Sequence, residues 1–240
     1  MTIVTAVHYR WESLAPGVRR CRLPFLDVTV GVVTGSAGVL LVDCGSTPAE
    51  AANLAADISA DPAGRGVTHL VLTHHHFDHI LGSAGFPAAR IYAAPPVAVA
   101  LTTGVESVGE HARRYGAPPD QVAEAIGRVR APDEITTGVR IDLGDRTVHV
   151  EHPGRGHTDH DLLVAVAPGA AGGPAVVFCG DLVEESAAPA IDGDSDVAAW
   201  PATLDRVLEL GGPHARYVPG HGAVVDAAFV RRQRDWLARR

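Results

Sequence analysis

The chain has 240 residues, 46% of them hydrophobic, a formal net charge of −8, and twenty basic residues that are all arginine. That is enough apolar material for a proper core. The acidic balance argues against a protein that grips a phosphate backbone, and the lack of lysine excludes lysine-based chemistry. No run approaches the ~18 apolar residues of a membrane-spanning helix. The opening MTIVTAVHYRWESLAP has no basic start followed by an apolar stretch, so no secretion signal is expected. Cys21, Cys44 and Cys179 are odd in number and widely spaced, which predicts unpaired thiols and a reducing, cytoplasmic setting.

In chain order, LDVTVGVVTG and GVLLVDCG are β-branched runs joined by GSAG, a hairpin signature. TPAEAANLAADISA, with its Thr-Pro start and helical spacing, predicts a helix. HLVLT is a short buried strand that runs into a cluster of histidines, and ARIYAA is the next strand. Residues 95–131 are helix-prone and interrupted by Gly and Pro-Pro, an insertion too short to hold its own core. GVRIDLGDRTVHVEHPG predicts a second hairpin turning at Gly144 and Asp145, followed by the strands DLLVAVA and AVVFCGD. DVAAWPATLDRVLEL is a helix, ARYVPGHG a strand ending in a loop, and DAAFVRRQRDWLARR a closing amphipathic helix. Two similar halves of strands and helices predict four layers, helix on sheet on sheet on helix.

The stretch LTHHHFDHILG, residues 72–82, carries the chemistry. If the backbone stays extended through the histidines, His74 and His76 face one way and His75 the other. Asp78 and His79 follow where the chain turns into a helix, so they reach a second point nearby. Imidazole and carboxylate together suit zinc, iron or manganese. Further donors stand at the ends of other strands: His157 in GRGHTDHD, Asp181 in VVFCGD and His221 in YVPGHG.

The motifs THHHFDHILG, GHTDHD, FCGD and PGHG, in this order, resemble those of the metallo-β-lactamase fold superfamily over roughly residues 26–225. The resemblance implies a single domain over 1–240, an αββα sandwich with the helical insertion at about 95–131, and a dinuclear site between the sheets. By position, His74, His76 and His157 hold a first metal. Asp78, His79 and His221 hold a second, and Asp181 bridges them. The expected ions are two divalent cations, zinc foremost, with iron or manganese also compatible. Asp43 matches a position that supports a ligand histidine from behind. The implied reaction is hydrolysis of an ester, thioester, lactone or related bond in a small molecule by hydroxide bridging the metals. Asp78 would carry a proton to the leaving group, and neither a nucleic acid nor a membrane is an expected partner.

Departures narrow the branch. Asp181 resembles the glyoxalase II, lactonase and phosphodiesterase branches rather than true zinc β-lactamases. The chain reads GRGHTDHDLLV where many relatives read PGHTPGS, which places His160 and Asp161 at new positions. His160 is a candidate for the pocket wall and Asp161 for orienting His157 or His221. Arg114 and Tyr115 of the insertion are candidates for gripping substrate. His75 is expected to point outward or to pack, and His69, Cys179 and Trp200 to serve the structure by packing. A mononuclear iron persulfide dioxygenase, which resembles glyoxalase II in its ligands, is the alternative.

Overall fold

A computed structural model describes residues 8–61 and 64–240. Residues 1–7, which carry much of the argument against a secretion signal, lie outside the described residues. The chain enters through β1 (Glu12–Ala15) and β2 (Val18–Arg22), an antiparallel pair whose arginine-rich second strand hides the strand period from a reading of the sequence. The expected hairpin follows as β3 (Thr29–Thr34) and β4 (Val39–Val42), in register from Gly31 opposite Val42 to Thr34 opposite Val39. Helix α1 (Pro48–Ser59) starts as its sequence demands, with Pro48 in the first turn and the Thr47 hydroxyl accepting from the Glu50 amide.

Strand β5 (His69–Val71) leads to the short helix α2 (Phe77–Ile80), a 3-10 turn over Leu81–Gly85, and β6 (Arg90–Ala93). Residues 95–131 then hold α3 (Pro95–Ala100), α4 (Val105–Arg114) and α5 (Pro119–Ile126). Ala112, Ala117, Val122 and Ala125 of this segment pack on Phe77 and Leu81, so the insertion shares the core around α2. After β7 (Glu134–Ile135) come β8 (Gly138–Asp142), β9 (Thr147–Glu151), β10 (Leu163–Val166) and β11 (Val176–Glu184). Helix α6 (Trp200–Gly211), β12 (Arg216–His221) and α7 (Ala227–Leu237) complete the chain.

Seven strands form one sheet in the order β1-β2-β3-β4-β5-β6-β7, and five form the other in the order β12-β11-β10-β9-β8. Alternation along each strand divides side chains between two cores. In β4, Leu40 and Val42 face the second sheet, where they join Val148, Val164, Phe178 and Val218. Leu41 faces the other way, toward Leu54 and Ile58 of α1. Beyond the second sheet, Val177, Cys179 and Tyr217 pack with Trp200 and Leu204 of α6 and Val230 of α7. Three apolar seams between four layers make this an αββα sandwich. Trp200 and Cys179 pack as expected, and His69 stacks on Tyr92 with centroids 5.9 Å apart.

The sheets approach closely where β3 passes the Phe178 ring of β11. A Cβ at Gly31 would lie 2.3 Å from that ring. Gly31→Ala is therefore expected to cost about 1–3 kcal/mol through overpacking, seen as a lower Tm in thermal unfolding. An unchanged Tm would mean that the seam has slack at this point.

Candidate metal centre

Strand ends from both sheets meet at one edge of the sandwich. The extended run anticipated through His76 stops at Val71, and the chain bends at His74 and His75. His76 occupies the position that precedes α2, and Asp78 and His79 fall in that helix's single turn. His157 stands in the turn between β9 and β10, Asp181 within β11, and His221 at the end of β12. Because the backbone bends, His75 does not point away from the molecule. It is half-buried on the flank, with Nδ1 3.1 Å from His160 Nε2 and Nε2 3.5 Å from Asp194.

Two donor sets converge. In one, His76 Nδ1 lies 3.1 Å from His74 Nε2 and 3.0 Å from His157 Nε2. Asp181 Oδ2 lies 3.7 Å from His74 Nε2 and 3.5 Å from His157 Nε2. In the other, His79 Nε2 is 3.6 Å from Asp78 Oδ2 and 3.4 Å from His221 Nε2, and His221 Nε2 is 3.4 Å from Asp78 Oδ2. Asp181 reaches this set too, with Oδ1 3.3 Å from His79 and Oδ2 3.4 Å from His221. Metal–nitrogen bonds of ~2.0–2.1 Å in a tetrahedron put neighbouring donors roughly 3.3 Å apart. The spacings match that edge, and both sets are placed to hold a cation.

Local backbone geometry aims Asp181. The parallel pairing of β11 and β12 breaks register on either side of Gly180, whose φ is +51°. Across the gap, a Cβ at Gly220 would sit 1.8 Å from Asp181 Oδ1, so only glycine leaves the carboxylate its place. That Oδ1 is buried and has no hydrogen-bond partner, an orphaned acceptor of the kind a cation satisfies.

The outward face of each imidazole is also engaged. His79 Nδ1 lies 2.9 Å from Asp43 Oδ2, His221 Nδ1 2.8 Å from the Leu26 carbonyl, and His157 Nδ1 3.3 Å from the Ala190 carbonyl. His74 Nδ1 lies 3.0 Å from the Thr73 hydroxyl, which donates to Asp43. His76 alone turns Nε2 outward, 3.3 Å from Asp194 Oδ2. These partners select the tautomers that present a lone pair inward. Asp43 thus stands behind both donor sets, accepting from the Thr73 amide and hydroxyl as well as facing His79.

Electrostatics point the same way. Burial drives His74 well below the ordinary imidazole range and His157 below it. At His79 and His221 burial is overridden by the Asp181 and Asp78 carboxylates, and His221 is lifted to about 9. Burial pushes Asp181 up, yet the surrounding imidazoles hold it well below the carboxylate range. In the metal-free chain, protons on His79 and His221 balance the buried carboxylate. A divalent cation would replace them. The nitrogen and oxygen donors, buried and tautomerically ordered, fit such ions.

A cleft of about 410 Å³ opens over the cluster, walled by Leu26, Phe77, Asp78, Tyr115 and Glu184. A hollow of about 370 Å³ adjoins it, lined by His75, His111, Arg114 and Asp194. Tyr115 is exposed on the cleft wall, its ring 5.0 Å from His111, whereas Arg114 lies at the adjoining hollow. His160 is not on the cleft wall: the tight turn at 155–160 buries it behind His75, where its other nitrogen meets Asp159. Asp161 orients neither His157 nor His221. Its Oδ2 accepts from the Thr158 amide, and burial pushes its carboxyl to about 7. Asp194 and Glu184 escape a reading of the sequence. The acidic run IDGDSD after β11 was the available signal for the first, whereas Glu184 reads as an ordinary strand end.

A family model described as the metallo-beta-lactamase superfamily matches residues 23–221. The chain belongs to the metallo-beta-lactamase superfamily. No curated protein matches it in sequence. Among solved structures it is similar to a metallo-beta-lactamase from Pontibacter korlensis, at 17% identity over 97% of this chain and 100% of that one, with a TM-score of 0.73. VMB-1 gives 17% identity over 96% of each chain and a TM-score of 0.71. TMB-1 gives 17% identity over 97% of this chain and 98% of that one, at 0.68. At this identity the likeness is one of fold.

Two expectations follow. In the metal-free chain His79 and His221 are both raised, His221 to about 9, whereas in the other set burial lowers His74 and His157, and only at His76 is burial overridden, by Asp194 and the nearby carboxylates. Affinity at the Asp78–His79–His221 set should therefore fall more steeply as pH drops from 9 to 7, with proton release on metal uptake. Uptake without acidification of a weakly buffered solution would contradict this. In the same metal-free chain, the raised His221 stabilises the fold fully below about 6.5, and that contribution is lost as pH rises through about 9. Separately, Asp43→Asn is expected to weaken metal binding roughly 10–100-fold at both sets. A titration showing loss at only one set would remove the shared role of Asp43.

Proposed function

We propose that the protein is a dinuclear metal-dependent hydrolase that cleaves an ester, thioester, lactone or related bond in a small molecule. The carrying observation is the Asp181 carboxylate, which reaches both donor sets, Oδ2 standing beside His157 and His221 and Oδ1 beside His79. His74, His76 and His157 would hold one ion and Asp78, His79 and His221 the other, with Asp181 shared. Zinc is the expected ion, and the donors also suit iron or manganese. When bound, such a pair supplies acidified water and polarisation of the substrate's carbonyl oxygen.

The chain's own residues supply the rest. Asp78, buried at the cleft wall, would hand a proton to the leaving group. Phe77, Leu26 and Tyr115 wall the cleft and would offer an apolar surface to substrate. Thr73, Asp43, Asp194 and the carbonyls of Leu26 and Ala190 keep the imidazoles oriented. Three unpaired, buried cysteines support a reducing, cytoplasmic setting. Among the described residues no helix is long and apolar enough to cross a membrane.

The alternative, a mononuclear iron persulfide dioxygenase, needs one ion. The two readings draw on the same donors and differ in ion count and oxygen uptake. Metal analysis with a panel of ester, thioester, lactone, phosphodiester and β-lactam substrates tests the reading. Two ions per chain and hydrolysis without oxygen uptake are expected. One tightly held iron with persulfide-dependent oxygen uptake would replace it with the alternative. Asp181→Asn is expected to weaken both ions and lower kcat at least about 100-fold, the scale of removing a principal electrostatic contributor. Retention of two tight ions would refute the shared role.

A further inference from the structure

The last helix reverses the charge of the chain. From Ala227 to Arg240 there are five arginines against one acid, Asp235, in a protein of net charge −8. Arg234 is engaged by Asp205 and Asp235. Arg232 lies over the Phe229 ring at 5.4 Å and Arg240 over the Trp236 ring at 4.0 Å. Both of these arginines are exposed, so their guanidinium edges remain open to solvent.

Phe229, Arg232, Gln233 and Trp236 recur at helical spacing and share one face of α7. That face walls a hollow of about 210 Å³ whose opposite wall is Glu184, Ala187, Ala188 and Pro189. Glu184, Ala187 and Ala188 also line the metal cleft. One loop is thus the boundary of both spaces, and its Ala187 and Ala188 are small and exposed. Helix α7 is held in register with the metal-bearing strand, because the buried Gln233 amide pairs with the Glu184 amide and the Leu182 carbonyl. The Glu184 carboxylate is itself occupied by Ser186.

Resting on the hydrolytic reading above, we infer that this hollow is a subsite for a phosphate-bearing nucleotide handle, and that the substrate is an acyl thioester of coenzyme A whose slender arm crosses the Ala187–Ala188 loop. Guanidinium groups match phosphate oxygens in geometry and charge. Phe229 and Trp236, which wall the hollow, offer aromatic surface to an adenine. The local positive field draws an anion toward an otherwise acidic molecule. In the reaction, a water oxygen bonds to the thioester carbonyl carbon and the carbon–sulfur bond breaks with its electron pair on sulfur. The departing thiolate takes a proton, and the products are a carboxylic acid and free coenzyme A, with no change in oxidation state. Contacts to the handle lie far from the reacting bond and act through kcat/KM.

The test compares hexanoyl-coenzyme A with the hexanoyl thioester of N-acetylcysteamine, which has the same reacting bond without the nucleotide and phosphates, on the metal-loaded full chain. The coenzyme A ester is expected to be preferred in kcat/KM by roughly tenfold or more, the scale of one charge-assisted hydrogen bond, and the preference should shrink as salt is raised. Arg232→Gln combined with Arg240→Gln should collapse that ratio while both ions stay bound. Equal kcat/KM for the two thioesters, or a ratio that survives the double substitution, would overturn the subsite. Turnover of simple esters or lactones but of neither thioester would overturn the substrate while leaving the hydrolytic reading intact. Failure to hydrolyse any substrate with both ions bound would instead overturn the hydrolytic reading itself.

Discussion

A carboxylate buried among imidazoles is the constraint around which this molecule is arranged. Asp181 is 6% exposed and its Oδ1 has no hydrogen-bond partner. Such a group is costly unless positive charge stands beside it. Its neighbours come from β12, from the turn after β9, and from the loop and helix after β5, which belong to different sheets. The two sheets must therefore pack with their strand ends level at one edge. The seam that joins them, with Phe178 against Gly31, sets that level. Three positions along β11, at Phe178, Gly180 and Asp181, link core packing to the site.

Behind the donors, one carboxylate coordinates the whole. Asp43 sits at φ +58°, a left-handed conformation that non-glycine residues adopt at a cost. In exchange its two oxygens collect the Thr73 amide, the Thr73 hydroxyl and the His79 ring. Thr73 passes the orientation on to His74. A single side chain thus fixes the tautomer of one imidazole in each donor set, which couples the geometry of the two sets. Asp194 plays a looser part on His76, because it is partly exposed on the wall of the adjoining hollow.

Much of this was legible in the sequence because the signals are local. The β-branched runs of β3, β4 and β11, the Thr47-Pro48 start of α1, and the histidine cluster between a strand and a helix each announce themselves within a dozen residues. The donors converge as their strand-end positions suggested. What failed depended on distant partners. Strand β2 carries the buried Arg20, satisfied by Glu12 and by the carbonyl of Gly222 about two hundred positions away, so its pattern reads as polar. Asp194 meets His76 across 118 residues. His75 was misplaced because strict alternation was extended past the end of β5, and His160 because a tight turn set its direction. Asp161 spends its side chain on its own turn, a local choice that spacing could not distinguish from a longer reach.

Of the three thiols, Cys44 touches the supports of the site, donating to the His79 carbonyl at 3.0 Å, and none reaches the donor atoms. Cys179 stands two residues from Asp181, yet strand alternation sends it to the helix side of the sheet, fully buried beside Trp200 and Tyr217. Burial pushes Cys44 well above the usual thiol range and removes Cys21 and Cys179 from it in the same direction. A protonated, enclosed thiol is a poor nucleophile and a poor target for peroxide. The donor cluster itself contains no sulfur. It offers no soft ligand to capture copper(I) and no donor atom that thiol oxidation would consume, so redox chemistry at sulfur reaches the centre only from behind, through Cys44 and the His79 backbone.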